Sequence, residues 1–188
     1  MNTPAHLLLG AAVFGRGSRR ITGFALLGAF APDASLYIMG GVSLFLMNIP
    51  PEVVFGELYF SPAWQTVFAI DNSIFLWIAG LAIALWAASP SGFAFAGAGL
   101  LHLCLDFPLH AGDGRAHFWP VSDWVFHSPF SYWDSAHHAN WVAPASVALC
   151  FAAFLVLWRR TPTLWGRGGL TLLLAAEIWV ARQWLTLF

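Results

Sequence analysis

Apolar residues run almost without interruption over 4–14, 21–47, 72–88, 92–107, 142–158 and 168–188. A membrane-spanning helix needs about 20 such residues. The first run is too short to span alone and predicts a half-helix or a steep re-entrant segment that leans on protein neighbours. The breaks between runs are of two kinds. GRGSRR at 15–20, SPSG at 89–92 and RRTPTLWGRGG at 159–169 are tight turns. The stretches 48–71 and 108–141 are long and mix polar with aromatic residues. The pattern predicts an all-α polytopic bundle of about five to six membrane segments. It forms a single integral-membrane domain over 1–188, with 48–71 and 108–141 as outer interfacial loops.

Composition supports this reading. Of the 188 residues, 59% are hydrophobic and only 9% are charged, against roughly 25% charged in a soluble domain. No cleaved signal peptide is expected, because an early basic region and a small-residue cleavage site are missing. Cys104 and Cys150 both fall within apolar runs and read as small core residues, not as a disulfide or a thiolate site.

Charge then orients the bundle. All eight basic residues are Arg, and six of them lie in 16–20 and 159–167. Short loops rich in Arg face the cytoplasm, so these two turns and the 89–92 turn share that side. The two long connections and both termini lie opposite. The expected setting is a bacterial inner membrane with the long connections toward the periplasm. Four Trp, three Phe and Tyr132 within 117–141 predict an aromatic lid at the membrane–water boundary. The Arg residues are split among loops, so no continuous basic footprint for nucleic acid is formed. The sequence does not specify an oligomeric state.

The stretch LLHLCLDFPLHAGDGRAHFWP, 100–120, places His102, Asp106, His110, Asp113 and His117 where apolar sequence leaves the membrane. At about 1.5 Å per residue, His6 lies roughly 15 Å from the turn at Arg16. Asp33 lies roughly 20 Å beyond Arg20, and His102 roughly 15 Å beyond Gly92. Asp106 follows one turn later, and Asp71 begins the 72–88 run. Polar residues from four segments therefore converge at one depth. His102 and Asp106, spaced i, i+4, share a helix face. Pro108 disfavours helix at Phe107, so His110 and His117 come from loop backbone.

Ionisable groups within a membrane are functional candidates. Imidazole and carboxylate without thiolate suit a divalent metal, zinc first, with manganese or iron as alternatives. The candidate ligands are His6, Asp33, Asp71, His102, Asp106, His110 and His117. Each His alone, or the His102–Asp106 pair, also reads as an interhelical hydrogen-bonding group. Arg115, the only Arg in the outer connections, could hold a phosphate, or else be a solvated or snorkelling side chain. His127 and Asp134 are further substrate-binding candidates in the aromatic loop, beside His137 and His138. Asp113 and Asp123 read as turn or cap residues. Glu177 reads as a ligand or as a buried partner for another polar group.

TPAHLLLG with His6, APD at 31–33 and the later H102-LCL-D106 resemble the YdjM-like family of membrane-bound metal-dependent hydrolases over most of 1–110. H102-LCL-D106-F-P108-L-H110 is also similar, more remotely, to zinc-dependent phospholipase C and the single-strand zinc nucleases. That second resemblance implies that Asp106 bridges two ions, that His110 and His117 serve an outer ion, and that Asp33 positions or deprotonates the attacking water. The chain departs from the first pattern. Ser35 stands where a second acid is usual, and Gln65 and Asn72 stand where His is usual. Asp71 could replace one ligand.

The resulting expectation is a membrane-embedded divalent-metal-dependent hydrolase, with Asp33 and Asp106 catalytic. Its substrate would be a phosphoester or a lipid-linked molecule at the outer boundary of the lipid membrane. A metal-ion or proton transporter would need polar groups through the whole bilayer depth, and the inner half has few. A non-catalytic protein with a vestigial site is the third reading.

Overall fold

The computed structural model describes residues 1–187, and among these it contains helices and no strand. In chain order the elements are α1 (Thr3–Phe14), α2 (Arg19–Gly41), the single turn α3 (Pro51–Val53), α4 (Pro62–Asp71), α5 (Ile74–Trp86), α6 (Pro90–Asp106), α7 (Ala139–Arg160) and α8 (Leu164–Leu187). The last residue of the predicted 168–188 segment lies outside the described residues. Four helical stretches are long and apolar enough to cross a membrane: Arg19–Leu46, Pro62–Trp86, Pro90–Leu109 and Ala139–Arg160. The chain is thus a helical membrane protein. α8 has the length but carries Arg167, Glu177 and Arg182.

Serine begins several helices. The hydroxyls of Ser18, Ser61, Ser73 and Ser89 accept from Ile21, Trp64, Leu76 and Gly92 backbone N–H. Each satisfies a donor that the first turn leaves unpaired. Pro62 and Pro90 follow at the first helical position, where a missing N–H costs nothing. Ser61 and Pro62 explain one difference from expectation. The sequence pattern assigned 62–71 to an interfacial loop, but it forms α4. Its continuation into α5 is broken only around Asn72 and Ser73.

α2 packs most extensively on α6, and small residues make this seam. A Cβ at Gly28 would fall 2.0 Å from the Phe95 carbonyl oxygen, and one at Gly10 would fall 2.7 Å from Ala29 Cβ. Between membrane helices, where lipid is as apolar as leucine, such close backbone approach is the main source of cohesion. The outer surface carries large exposed apolar side chains, among them Ile38, Phe45, Ile83, Leu85 and Trp86. These are the lipid-facing positions.

The short α1 is held at both ends. Arg160 of α7 donates from Nη1 to the Ala12 carbonyl at 2.8 Å, closing the C-terminal turn. At the other end Asn2 Nδ2 donates to Glu177 Oε1 at 3.1 Å, and Trp184 Nε1 donates to Asn2 Oδ1 at 2.9 Å. Glu177 is therefore the buried partner of Asn2, and it stands outside the His6–His102–Asp106 group. A half-helix that cannot span is fixed in place by its neighbours, and with it His6.

Candidate metal centre

His6 from α1, His102 and Asp106 from α6 present ligand atoms that all lie within 4.8 Å of one another. All three side chains are buried. The His6 and His102 rings stack, with centroids 3.5 Å apart and planes at 10°. His6 Nε2 lies 2.9 Å from Asp106 Oδ1, and His102 Nε2 lies 3.3 Å from Asp106 Oδ2. Neither contact is aligned as a hydrogen bond, so both nitrogens are buried without a hydrogen-bond partner. The backbone nitrogen of Met1 also meets Asp106.

The far edge of the His102 ring is engaged elsewhere, while His6 Nδ1 is buried without a partner. His102 Nδ1 donates to the Ala29 carbonyl at 2.7 Å, in the turn of α2 before Pro32. That bond fixes the tautomer and leaves a lone pair on Nε2. His110 follows the 3-10 turn that Pro108 creates. Its Nε2 lies 3.2 Å from Asp106 Oδ2, and its Nδ1 lies 2.9 Å from Asp113 Oδ2. A His whose far nitrogen rests on a carbonyl or carboxylate is the usual support for a metal-ligating imidazole. His102 is built this way beside Asp106, and His110 has the Asp113 carboxylate within ion-pair distance of its far nitrogen. The orphaned nitrogens, the central carboxylate and the absence of thiolate fit a divalent ion.

Asp33 stands beside this set. Its Oδ1 is 3.7 Å from His102 Nε2. Its Oδ2 accepts from Thr3 Oγ1 at 2.5 Å, and Tyr37 donates its hydroxyl to Thr3 Oγ1 at 3.0 Å. Asp33, Asp106, His110, Asp113, Arg115, Asn72, Tyr59 and Tyr132 line one cavity of about 210 Å³.

Several expectations are corrected. Asp71 does not enter the cavity. It lines a separate hollow with Ile70, Trp77 and Gly80, and its neighbour Asn72 takes the inward place. One residue is about 100° of helix rotation, which is enough to exchange them. His117 is buried but lies outside the His6–His102–Asp106 group, and it ties the loop to the helices. Its Nδ1 donates to the Asn72 carbonyl at 3.0 Å, and its own carbonyl accepts from Ile74 N–H at 2.9 Å. His127 is exposed on the loop and lines no part of the cavity. Asp134 caps the 3-10 turn Ser135–His137 and pairs with His137 Nδ1 at 2.7 Å, also away from the cavity.

Asp113, read from the sequence as a turn residue, is the supporting carboxylate of His110, and Trp133 Nε1 donates to it at 3.2 Å. Burial raises the pKa of Asp113, but contact with His110 outweighs this and holds the carboxyl below its ordinary value. The only signal was the i, i+3 spacing from His110. Aromatic rings at the end of the sixth helix and in the following loop pack on one another. Phe107 stacks on Phe126 at 4.8 Å, Phe118 crosses Phe107, and Trp124 joins both Phe118 and Phe126.

Comparison with protein-family models, with curated proteins and with solved structures finds no match. The site's own geometry therefore carries the functional reading.

Proposed function

We propose that the chain is a membrane-embedded, divalent-metal-dependent hydrolase acting on a phosphoester or lipid-linked substrate at the outer membrane boundary. The observation that carries this reading is the pair of buried, hydrogen-bond-free Nε2 atoms of His6 and His102 directed at Asp106. Imidazole and carboxylate suit zinc, with manganese or iron as alternatives. The resemblance of TPAHLLLG, APD and HLCLD to the YdjM-like hydrolases supports the same class. The Arg-rich turns at 16–20 and 159–167 support a bacterial inner-membrane setting with the cavity toward the periplasm.

His6, His102, His110 and Asp106 would hold the ion. Once bound, it supplies a Lewis acid for the phosphoryl oxygen and an acidified water at neutral pH. Asp33, held by Thr3 and Tyr37 next to His102, would take the proton of the attacking water. The oxygen–phosphorus bond to water forms as the ester bond breaks, and the proton passes from Asp33 to the leaving oxygen. Burial pushes the Tyr59 phenol up to about 12, against the pull of Arg115. It also raises the Tyr132 phenol well above its ordinary value, with Asp106, Asp113 and Asp33 adding to the effect. Both phenols stay neutral donors at the cavity wall.

The test is turnover by purified protein loaded with zinc, manganese or iron, against phosphate mono- and diesters in mixed micelles. Activity is expected to be abolished by chelation and restored by one of the metals. Asp33→Asn is expected to lower kcat while metal content is kept. Bound metal without turnover on any of these esters would refute the phosphoester hydrolase reading.

A further inference from the structure

Arg115 is buried, 9% exposed, and forms no ion pair among the described residues. Its Nη1 donates to the Asp113 carbonyl at 3.3 Å. The guanidinium lies over two aromatic faces, with Cζ 4.8 Å from the Tyr59 centroid and 4.2 Å from that of Phe68. These stackings fix its plane without neutralising it. The backbone around it is closely fitted. A Cβ at Gly114 would meet the Phe126 carbonyl oxygen at 2.8 Å and Val125 Cγ1 at 2.9 Å, so only glycine lets the loop pass here. The carboxylates that share its cavity stand beyond ion-pair distance, so its charge is only partly compensated, which is costly for a buried cation. A fixed, planar one is preorganised for the bidentate grip that phosphate accepts.

The cavity that Arg115 lines is the one lined by Asp106, His110 and Asp33. Its volume of about 210 Å³ is below the roughly 300–1,000 Å³ of sites that enclose a whole small molecule. It takes a group the size of a head, with the rest of the ligand outside. Tyr59 and Tyr132 supply hydroxyls on the wall. Three carboxylates, Asp33, Asp106 and Asp113, also face this space, and alone they would repel an anion.

We infer that Arg115 is the anion seat of this cavity, gripping the non-bridging oxygens of a phosphoryl group whose other side faces the His6–His102–Asp106 cluster. The inference rests on the proposed metal-dependent reading for the second half of that arrangement. Occupation of the cluster by a divalent ion offsets the three carboxylates, so the two sites are linked. Phosphate binds more tightly to the metal-loaded protein. The shared chemistry, a phosphate oxyanion, is offered both by free phosphate and by the head of a membrane lipid.

The experiment measures two quantities on the full chain in detergent: metal content, and binding of labelled orthophosphate by equilibrium dialysis with and without added zinc. The proteins are the parent, Arg115→Met and Arg115→Lys, each checked for an unchanged melting transition. Arg115→Met is expected to keep the metal and to weaken phosphate binding by roughly 10- to 100-fold. Arg115→Lys, which keeps the charge but loses the fork, is expected to recover only part. If Arg115→Met fails to fold, the lysine variant carries the test through its partial loss of phosphate with metal retained.

Equal phosphate affinity in parent and variants overturns the seat and leaves the hydrolase reading standing. Metal binding with no phosphate binding does the same. Phosphate binding that depends on Arg115 in a protein that takes up no metal keeps the seat and removes the hydrolase. Displacement of the labelled phosphate by phosphatidate micelles at lower concentration than by glycerol phosphate identifies the lipid as source. The reverse order identifies a soluble phosphate.

Discussion

Replacing Asp113 by Asn tests how the site is supported without touching the proposed first ligands, except through His110. Asp113 Oδ2 lies 2.9 Å from His110 Nδ1, and the far edge of that ring lies 3.2 Å from Asp106. An ionised carboxylate behind an imidazole orients the ring and raises the basicity of its other nitrogen. Loss of such a partner typically lowers metal affinity by about 10- to 100-fold, or roughly 1.4–2.7 kcal/mol. Asparagine keeps the size of the side chain, and its amide can still meet Trp133 Nε1, so the fold should hold. The assay is competition for zinc against a chromophoric chelator in detergent, beside a melting curve. A Kd raised by about 10- to 100-fold with an unchanged melting transition is the expected result. An unchanged Kd would remove His110 from the ligand set.

The pH dependence has a definite sign. Contact with His110 depresses the folded pKa of Asp113, so its contribution to stability is complete above the ordinary carboxyl value of about 3.8. It is lost as pH falls through the lower folded value. Between about pH 7 and 5 Asp113 therefore stays ionised, and metal released in that range reports proton competition at the histidines.

Gly28→Ala is expected to destabilise the protein by about 1–3 kcal/mol, read as a lower melting temperature. Its Cβ would strike the Phe95 carbonyl and part the two helices that carry Asp33 and His102. Glu177→Leu should leave Asn2 without its acceptor and loosen the start of α1, lowering stability by about 1–3 kcal/mol, while Glu177→Gln should retain most of it. A thermal shift equal for both would sever Glu177 from the anchoring of α1. Ser122→Cys and Thr163→Cys, both at exposed loop positions, should differ in intact cells. A membrane-impermeant maleimide is expected to label the first and not the second, and the opposite pattern would invert the topology.

Much of the site could be read from the chain. His102 and Asp106 share a face by spacing alone, and His6 and Asp33 reach the same depth by counting from the Arg-rich turns. What failed depended on rotation or on distant partners. Asp71 and Asn72 differ by one residue, and the helical character of 62–71 decides which faces inward. His117 has the right composition for a ligand, yet the loop, tied to the Asn72 carbonyl 45 residues away, leaves it outside the His6–His102–Asp106 group. Asp113 lies across a helix break from Asp106, where periodicity no longer relates side chains. The burial of Arg115 comes from Tyr59 and Phe68, contacts that no local pattern announces.

Metal content tests the central claim most directly. It would be measured on the purified protein and on a His102→Ala/Asp106→Ala double variant of matched helicity, both after reconstitution with zinc and manganese. About one or more equivalents of tightly bound metal in the parent and none in the variant is the predicted result. Equal, negligible metal in both would contradict the account and leave His6, His102 and Asp106 as a buried structural cluster.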